Sequence, residues 1–403
     1  MKYLELVVVL VIASISFVSC TNDEAGDMYS NRGVEADKAI LNLSMQKVDE
    51  EILQLGQTDF AQISHSMSQQ LNGQVLEGNG RFVEKVIKVG ELMYQAECSD
   101  CCFEELIDLS FASSYYCQPL LDEGYGVWNW DQETGMFLKD EEHDSEYIFR
   151  FPVERDATAD TAVLVIYDIV VYDGQFPDKG NDLEDGTKVE KIIEKLNFNL
   201  KWGDQLALSG NIQANFSEAG YYEDLALTFN PQPYNLSYDL GKSESIGYWF
   251  SSFGRDSYAI IDEIMELEID ESQVDMPVSS VVNESFIHDI VIETRTLTGY
   301  LYNELLKLDA LDEGSEQYAR DYAAALNSHA LMTVKYADDR SIIAEVEAVP
   351  KRDDEENTWW VDLELEFNDG SRVSCDEYFT NFLTEFKVNL EELVNQFENK
   401  FGI

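Results

Sequence analysis

Positive charge is scarce in this chain. Its 403 residues carry 27 lysines and arginines against 79 aspartates and glutamates, a formal net charge of −52. A polyanion of this size repels phosphate, and no basic patch interrupts it, which excludes a nucleic-acid binder. Proline is rare as well: with 7 prolines and 23 glycines, collagen-like and low-complexity classes drop out. The four histidines, His65, His143, His288 and His329, stand far apart in different predicted elements. No HExxH, GxSxG or GxGxxG pattern occurs, so the metalloprotease, serine-elbow and dinucleotide signatures are missing. Gly241-Lys242-Ser243 ends like a phosphate loop, but the position of its first glycine is Leu236.

What the chain does have is apolar material, 45% hydrophobic and 12% aromatic, enough for a real core despite the charge. Its length suits two or three domains at ~100–200 residues each. The acids are spread along the whole chain, densest at Asp140 to Glu146 and Asp353 to Glu356, and form no single acidic tail. Self-repulsion of this kind weakens a compact state until salt screens it. A solvated surface adapted to a saline habitat is the favoured reading, and divalent-cation binding the other.

The N-terminus reads as an address. Lys2 precedes the apolar run Leu6 to Phe17, and Ser19-Cys20 is followed at once by Thr21, Asn22, Asp23 and Glu24. About a dozen apolar residues fit a signal-peptide core and fall short of the ~20 a spanning helix needs. Small Ser19 before Cys20 looks like a lipobox, with Cys20 the residue that is lipidated. Serine-cysteine followed by acids resembles lipoproteins of the Bacteroidota type, in which such acids often mark export to the outer face of the outer membrane. Asp160-Thr161-Ala162 fits the short sequence those bacteria O-glycosylate. Trp130-Asp131-Gln132-Glu133-Thr134-Gly135, Phe149-Arg150-Phe151-Pro152 and Phe367-Asn368-Asp369-Gly370-Ser371 leading to Tyr378-Phe379 resemble an uncharacterised lipoprotein family of the same bacteria. That resemblance spans roughly residues 120–400 and implies no activity. It implies an outer-membrane lipoprotein, surface-exposed or periplasm-facing, held to the membrane through its lipid.

Residues 1–19 thus read as signal peptide and 20–34 as lipidated cysteine and flexible tether. Residues 35–118 read as helical, with Ala36, Ile40, Leu43, Val48, Ile52 and Leu55 at helical spacing, a second helix over Phe82 to Ala96 and a third over Phe103 to Tyr116. From 119 to 295 the period becomes two, and alternation predicts a long antiparallel meander. Asp131 to Gly135 and Gly203-Asp204 mark turns, and Leu196, Phe198, Leu200 and Trp202 begin the alternation on one face. Ile246, Tyr248 and Phe250 read as the inward residues of a later strand, and Phe286 to Thr294 as another strand carrying His288. In 296–403 a helical stretch over Leu297 to Ala330, strands over Val334 to Val349 and Trp359 to Phe367, and an amphipathic helix over 378–400 complete the fold. A one-faced sheet must bury that face, and the helices are the available cover. The expected class is α+β: a large curved antiparallel sheet, meander or half-barrel, packed on helices.

The bulky inner residues Phe198, Trp202, Tyr238 and Tyr248 either fill the core or line a cavity between sheet and helices. Trp128 and Trp130, beside Tyr125 and Asp131, suit sugar stacking. The Trp359-Trp360 pair must turn one indole outward. Cys98-Ser99-Asp100-Cys101-Cys102 with Cys117 suits a disulfide among Cys98, Cys101, Cys102 and Cys117, free thiols, or, lacking a second paired step, a poor zinc site, while Cys375 stands apart. The loop Asp178 to Gly186 fails the EF-hand pattern at Leu183 and leaves only a loose calcium loop of Asp182, Glu184 and Asp185. No cofactor is expected beyond that weak calcium reading. Functionally, the leading expectation is a non-enzymatic, lipid-anchored envelope protein binding a hydrophobic or amphipathic ligand between sheet and helices. The alternatives are a surface lipoprotein binding glycan or protein through exposed aromatics, and a carboxylate-based hydrolase, for which the many acids single out no pair.

Overall fold

The computed structural model describes residues 28–71, 76, 78–95, 106, 109, 113–153, 161–172, 191–217, 222–243, 246–269, 278–312, 314–353, 358–375 and 377–379. Four helices open it: α1 (Val34–Leu55), α2 (Asp59–Leu71), α3 (Arg81–Tyr94) and α4 (Ser113–Glu123). Twelve strands follow: β1 (Gly126–Asp131), β2 (Met136–Glu142), β3 (Glu146–Pro152), β4 (Thr161–Val171), β5 (Ile193–Trp202), β6 (Gln205–Phe216), β7 (Tyr222–Pro231), β8 (Tyr234–Ser243), β9 (Ile246–Arg255), β10 (Tyr258–Ile269), β11 (Val278–Ile287) and β12 (Ile290–Thr296). Helices α5 (Thr298–Leu306) and α6 (Glu316–His329) precede β13 (Ala330–Tyr336), β14 (Ile342–Asp353), β15 (Thr358–Phe367) and β16 (Arg372–Ser374). Among the described residues no helix is long and apolar enough to cross a membrane.

All 16 strands form one open sheet in the order β16 to β3 in sequence, then β1, then β2. Every pairing is antiparallel except β1 with β3, because β1 slots between its own hairpin partner β2 and the next strand. The class is the expected α+β fold with a large curved sheet. The turns at Gly135, Gly203 and Gly370 all have positive φ, which suits glycine there.

Period-two alternation sends one set of side chains inward. Along β5, Leu196, Phe198 and Leu200 are buried, and along β7, Leu225, Leu227 and Phe229. The α2–α3 pair covers them: Phe82 meets Phe198 edge-on at 5.5 Å, and Phe60 meets Phe229 at 5.4 Å. Each fully buried phenylalanine contributes roughly 1.5–3 kcal/mol of transfer free energy. Helix α1 crosses the ends of strands β13 to β8. Its Asp37 accepts from Tyr336 Oη at 2.8 Å at one end, Lys47 pairs with Asp289 at 2.8 Å, and Glu51 accepts from Tyr234 Oη at 2.8 Å at the other. Helix α6, capped by Ser315 Oγ accepting from the Tyr318 amide at 3.2 Å, lies on the same face over β13 to β15 and closes a smaller apolar cluster with α5.

Within the expected helical region, residues 59–71 form α2, whose Phe60, Ile63, Met67 and Leu71 supply a buried stripe among its serines and glutamines. Several expectations need correction. Val334 to Val349 is two strands with a turn at Ala337–Asp339 between them, and His288 sits in the β11–β12 turn with φ 51° rather than on a strand. The phase of β9 is the reverse of the expected one: Trp249, Ser251 and Phe253 point inward, and Ile246, Tyr248 and Phe250 outward. Both phases of this strand hold bulky apolar residues, so alternation alone does not choose. The end of the 20–34 stretch is not free chain: Tyr29 bridges Ile342 in parallel, with the Ser30 amide donating to Ile342 O at 2.7 Å. The predicted C-terminal helix over 378–400 lies, beyond residue 379, outside the described residues.

Candidate functional site

The inner face is apolar except where β9 to β12 run side by side. There Glu263 of β10 faces Ser251 of β9 on one side and Ser285 of β11 on the other. In the next row Trp249, Met265, Asn283 and Thr294 are successive cross-strand partners, and in a third Leu267, Val281 and Thr296. With strands about 4.8 Å apart, the second row spans roughly 14 Å.

Glu263 organises this patch. Ser251 Oγ donates to its Oε2 at 3.2 Å and Asn283 Nδ2 to its Oε1 at 3.1 Å. Desolvation pushes the carboxyl above its ordinary range, and the hydrogen bonds from Asn283, Ser251 and Ser285 pull the other way without cancelling it. Among the described residues, Asn283 Oδ1 and Trp249 Nε1 in the row next to it, and Thr296 Oγ1 two strands over and two rows along, are buried polar atoms with no hydrogen-bond partner. Asn283 is 4% exposed and Thr296 fully buried. An unmet buried donor or acceptor costs about 1–3 kcal/mol, so several on one patch is a feature to explain. The patch offers an indole donor, an amide acceptor, hydroxyls and a carboxyl, beside the apolar Met265 and Leu267.

The sequence-predicted residues fall in different places. Tyr238 is buried beside this patch, opposite Ser251 and stacked on Trp249 at 5.8 Å. Phe198 is core under α3, and Trp202 is half-buried at the end of β5. Tyr248 is on the outer face. Trp128 is no exposed sugar platform: it is fully buried, stacked on Phe149 at 5.3 Å and Tyr147 at 5.6 Å, because all of Gly126–Trp128 is covered. Trp130 is half-buried against Phe137 at 5.2 Å. Of the other pair, Trp360 turns outward and Trp359 is half-buried, as neighbours on one strand must. Cys117 is a free thiol, fully buried, its pKa raised by desolvation, so no disulfide uses it. Cys20, Cys98, Cys101, Cys102 and the Asp182, Glu184, Asp185 loop lie outside the described residues. Among the described residues no group of three or more His, Cys, Asp or Glu is placed to hold a metal ion.

Glu263, Asn283, Ser251 and Ser285 escape a reading based on apolar periodicity. The available signal was Glu263 itself, an acid in the same phase as Ile261, Met265 and Leu267. Compared with known protein families, curated proteins and solved structures, the chain matches none.

Proposed function

We propose that this chain is a non-enzymatic, lipid-anchored envelope protein that binds an amphipathic ligand on the inner face of its sheet. The polar end of the ligand is held by Glu263, Asn283, Trp249 and the Ser251 and Ser285 hydroxyls. Its apolar part lies along Met265 and Leu267. The observation that carries this reading is the pair of buried atoms without a partner among the described residues, Asn283 Oδ1 and Trp249 Nε1, beside a desolvated carboxyl on a face that is otherwise apolar. The Ser19-Cys20 junction supports the anchor.

The test is organic-solvent extraction and mass spectrometry of the full chain carrying Cys20→Ala, purified without detergent so that neither acyl anchor nor detergent is extracted. A stoichiometric amphipathic molecule is expected, lost from the Asn283→Leu variant. A folded protein that yields no such molecule overturns the reading.

A further inference from the structure

The outer face of the same strands carries a second, unrelated feature. Ile246, Tyr248 and Phe250 on β9, Ile264 on β10 and Val282 on β11 are each between 37% and 48% exposed. They are contiguous: Phe250 is opposite Ile264, Tyr248 is opposite Glu266, and Glu266 is opposite Val282. A stripe of five exposed apolar residues on adjacent strands differs from the scattered singles of an ordinary surface. The Tyr248 ring lies flat over its cross-strand partner Gly241, where a Cβ would fall 2.4 Å from Tyr248 Oη, so the glycine makes room for an aromatic face.

Carboxylates border the stripe on both sides. Asp239 is opposite Phe250 on β8, Asp224 is opposite Gly241 on β7, and Asp262 and Glu266 flank Ile264 on β10. Among the described residues none of these four is paired with a cation; Asp224 accepts from Asn215 Nδ2 at 2.8 Å, and Asp262 from Ser252 Oγ. Burial and the neighbouring Asp224 both push the Asp239 carboxyl up, and Asp239 and Asp224 in turn add to the upward shift of Tyr248. Each neighbour therefore favours a positive charge here. A second copy would bring another −52 and the same acids to the contact, so self-association opposes the field.

We infer that this stripe is a docking face for a cationic, amphipathic segment of another protein, in which lysines or arginines flank apolar side chains. Its apolar residues cover Tyr248, Phe250 and Ile264, and its cations reach Asp224, Asp239, Asp262 and Glu266. Cations over the two rings add to the attraction.

The probe is a fluorescent peptide of alternating lysine and leucine, titrated with the full chain carrying Cys20→Ala at about 0.15 M salt, where exposed charges are screened beyond ~8 Å. Phe250→Thr with Ile264→Thr leaves the charge and the β-propensity in place and is expected to weaken binding about tenfold. Asp239→Asn with Glu266→Gln is expected to weaken it several-fold. Glu141→Gln with Glu142→Gln, the same charge removed from exposed β2, is expected to leave it unchanged. Melting temperature reports folding of each variant, and Ile264→Thr alone serves if Phe250→Thr unfolds the chain. Equal loss from the β2 variant means diffuse attraction and overturns the inference, as does wild-type affinity in the stripe variants. A concentration-dependent dimer abolished by Phe250→Thr also overturns it, in favour of a second copy.

Discussion

Gly210 lies directly beneath the ring of Phe198, its cross-strand partner: a Cβ on Gly210 would sit 2.1 Å from Phe198 Cζ. The ring is thereby laid against the sheet and still meets Phe82 of α3 edge-on at 5.5 Å. The pair sets the spacing between sheet and helix layer at β5 and β6. Gly210→Ala is expected to destabilise the fold by about 1–3 kcal/mol through overpacking. The cost should shrink in a Phe198→Leu background, because the two residues share one space. Urea unfolding of the two single variants and the double one gives the coupling energy. Additive losses would contradict this account of the contact.

Glu263 makes stability depend on pH in a definite direction. Its folded-state carboxyl is raised by desolvation, so the folded state holds its proton more tightly than the unfolded one. The stabilising contribution is fully present below the ordinary value of about 4.3 and is lost as pH rises through the raised value. Glu263→Gln, whose amide can donate to the unpartnered Asn283 Oδ1, is expected to melt above wild type at neutral pH, with the gap closing toward about pH 4. Thermal melts across that range measure it, and a gap that does not change with pH would assign the shift elsewhere.

A charge of −52 predicts a steep response to salt. The melting temperature is expected to climb with sodium chloride as the Debye length falls from about 10 Å at 0.1 M to 3 Å at 1 M. Calcium at matched ionic strength should do no more. If millimolar calcium far exceeds its ionic-strength equivalent, specific cation sites account for the acids instead.

Lipidation has a direct assay. Metabolic labelling with a clickable palmitate is expected to mark the wild-type chain and to leave Cys20→Ala unmarked. Equal labelling of the two would remove the lipobox reading and, with it, the anchor in the proposed function.

The fold was legible wherever one phase of a strand was clearly polar. On β15, Leu365 and Phe367 are buried as the alternation predicts, with Leu363 half-buried, while Asp362 and Glu364 of the other phase are covered on the outer face as well. On β9 the two phases compete, Ile246-Tyr248-Phe250 against Trp249-Phe253, and nothing local says that the register of β10 turns Trp249 in beside Met265. Helix α2 is a different case: four apolar residues at the right spacing among serines and glutamines give little local signal, and its helicity rests on docking against Phe229. The candidate site was the least legible part. Glu263, Ser251, Asn283 and Ser285 come from three strands, and only sheet register makes them neighbours, whereas the tryptophan that stood out in sequence, Trp128, is core.

The bridge from Tyr29 to Ile342 ties the start of the described chain to β14. If Cys20 carries the proposed lipid, only residues 21–28 separate it from Tyr29, a leash of roughly 30 Å when fully stretched. Under the proposed anchor, that leash would keep the β14–β16 end of the sheet near the headgroups, while the β2 edge lies 13 strands further along in the sheet order. The lipid would then orient the protein as well as tether it.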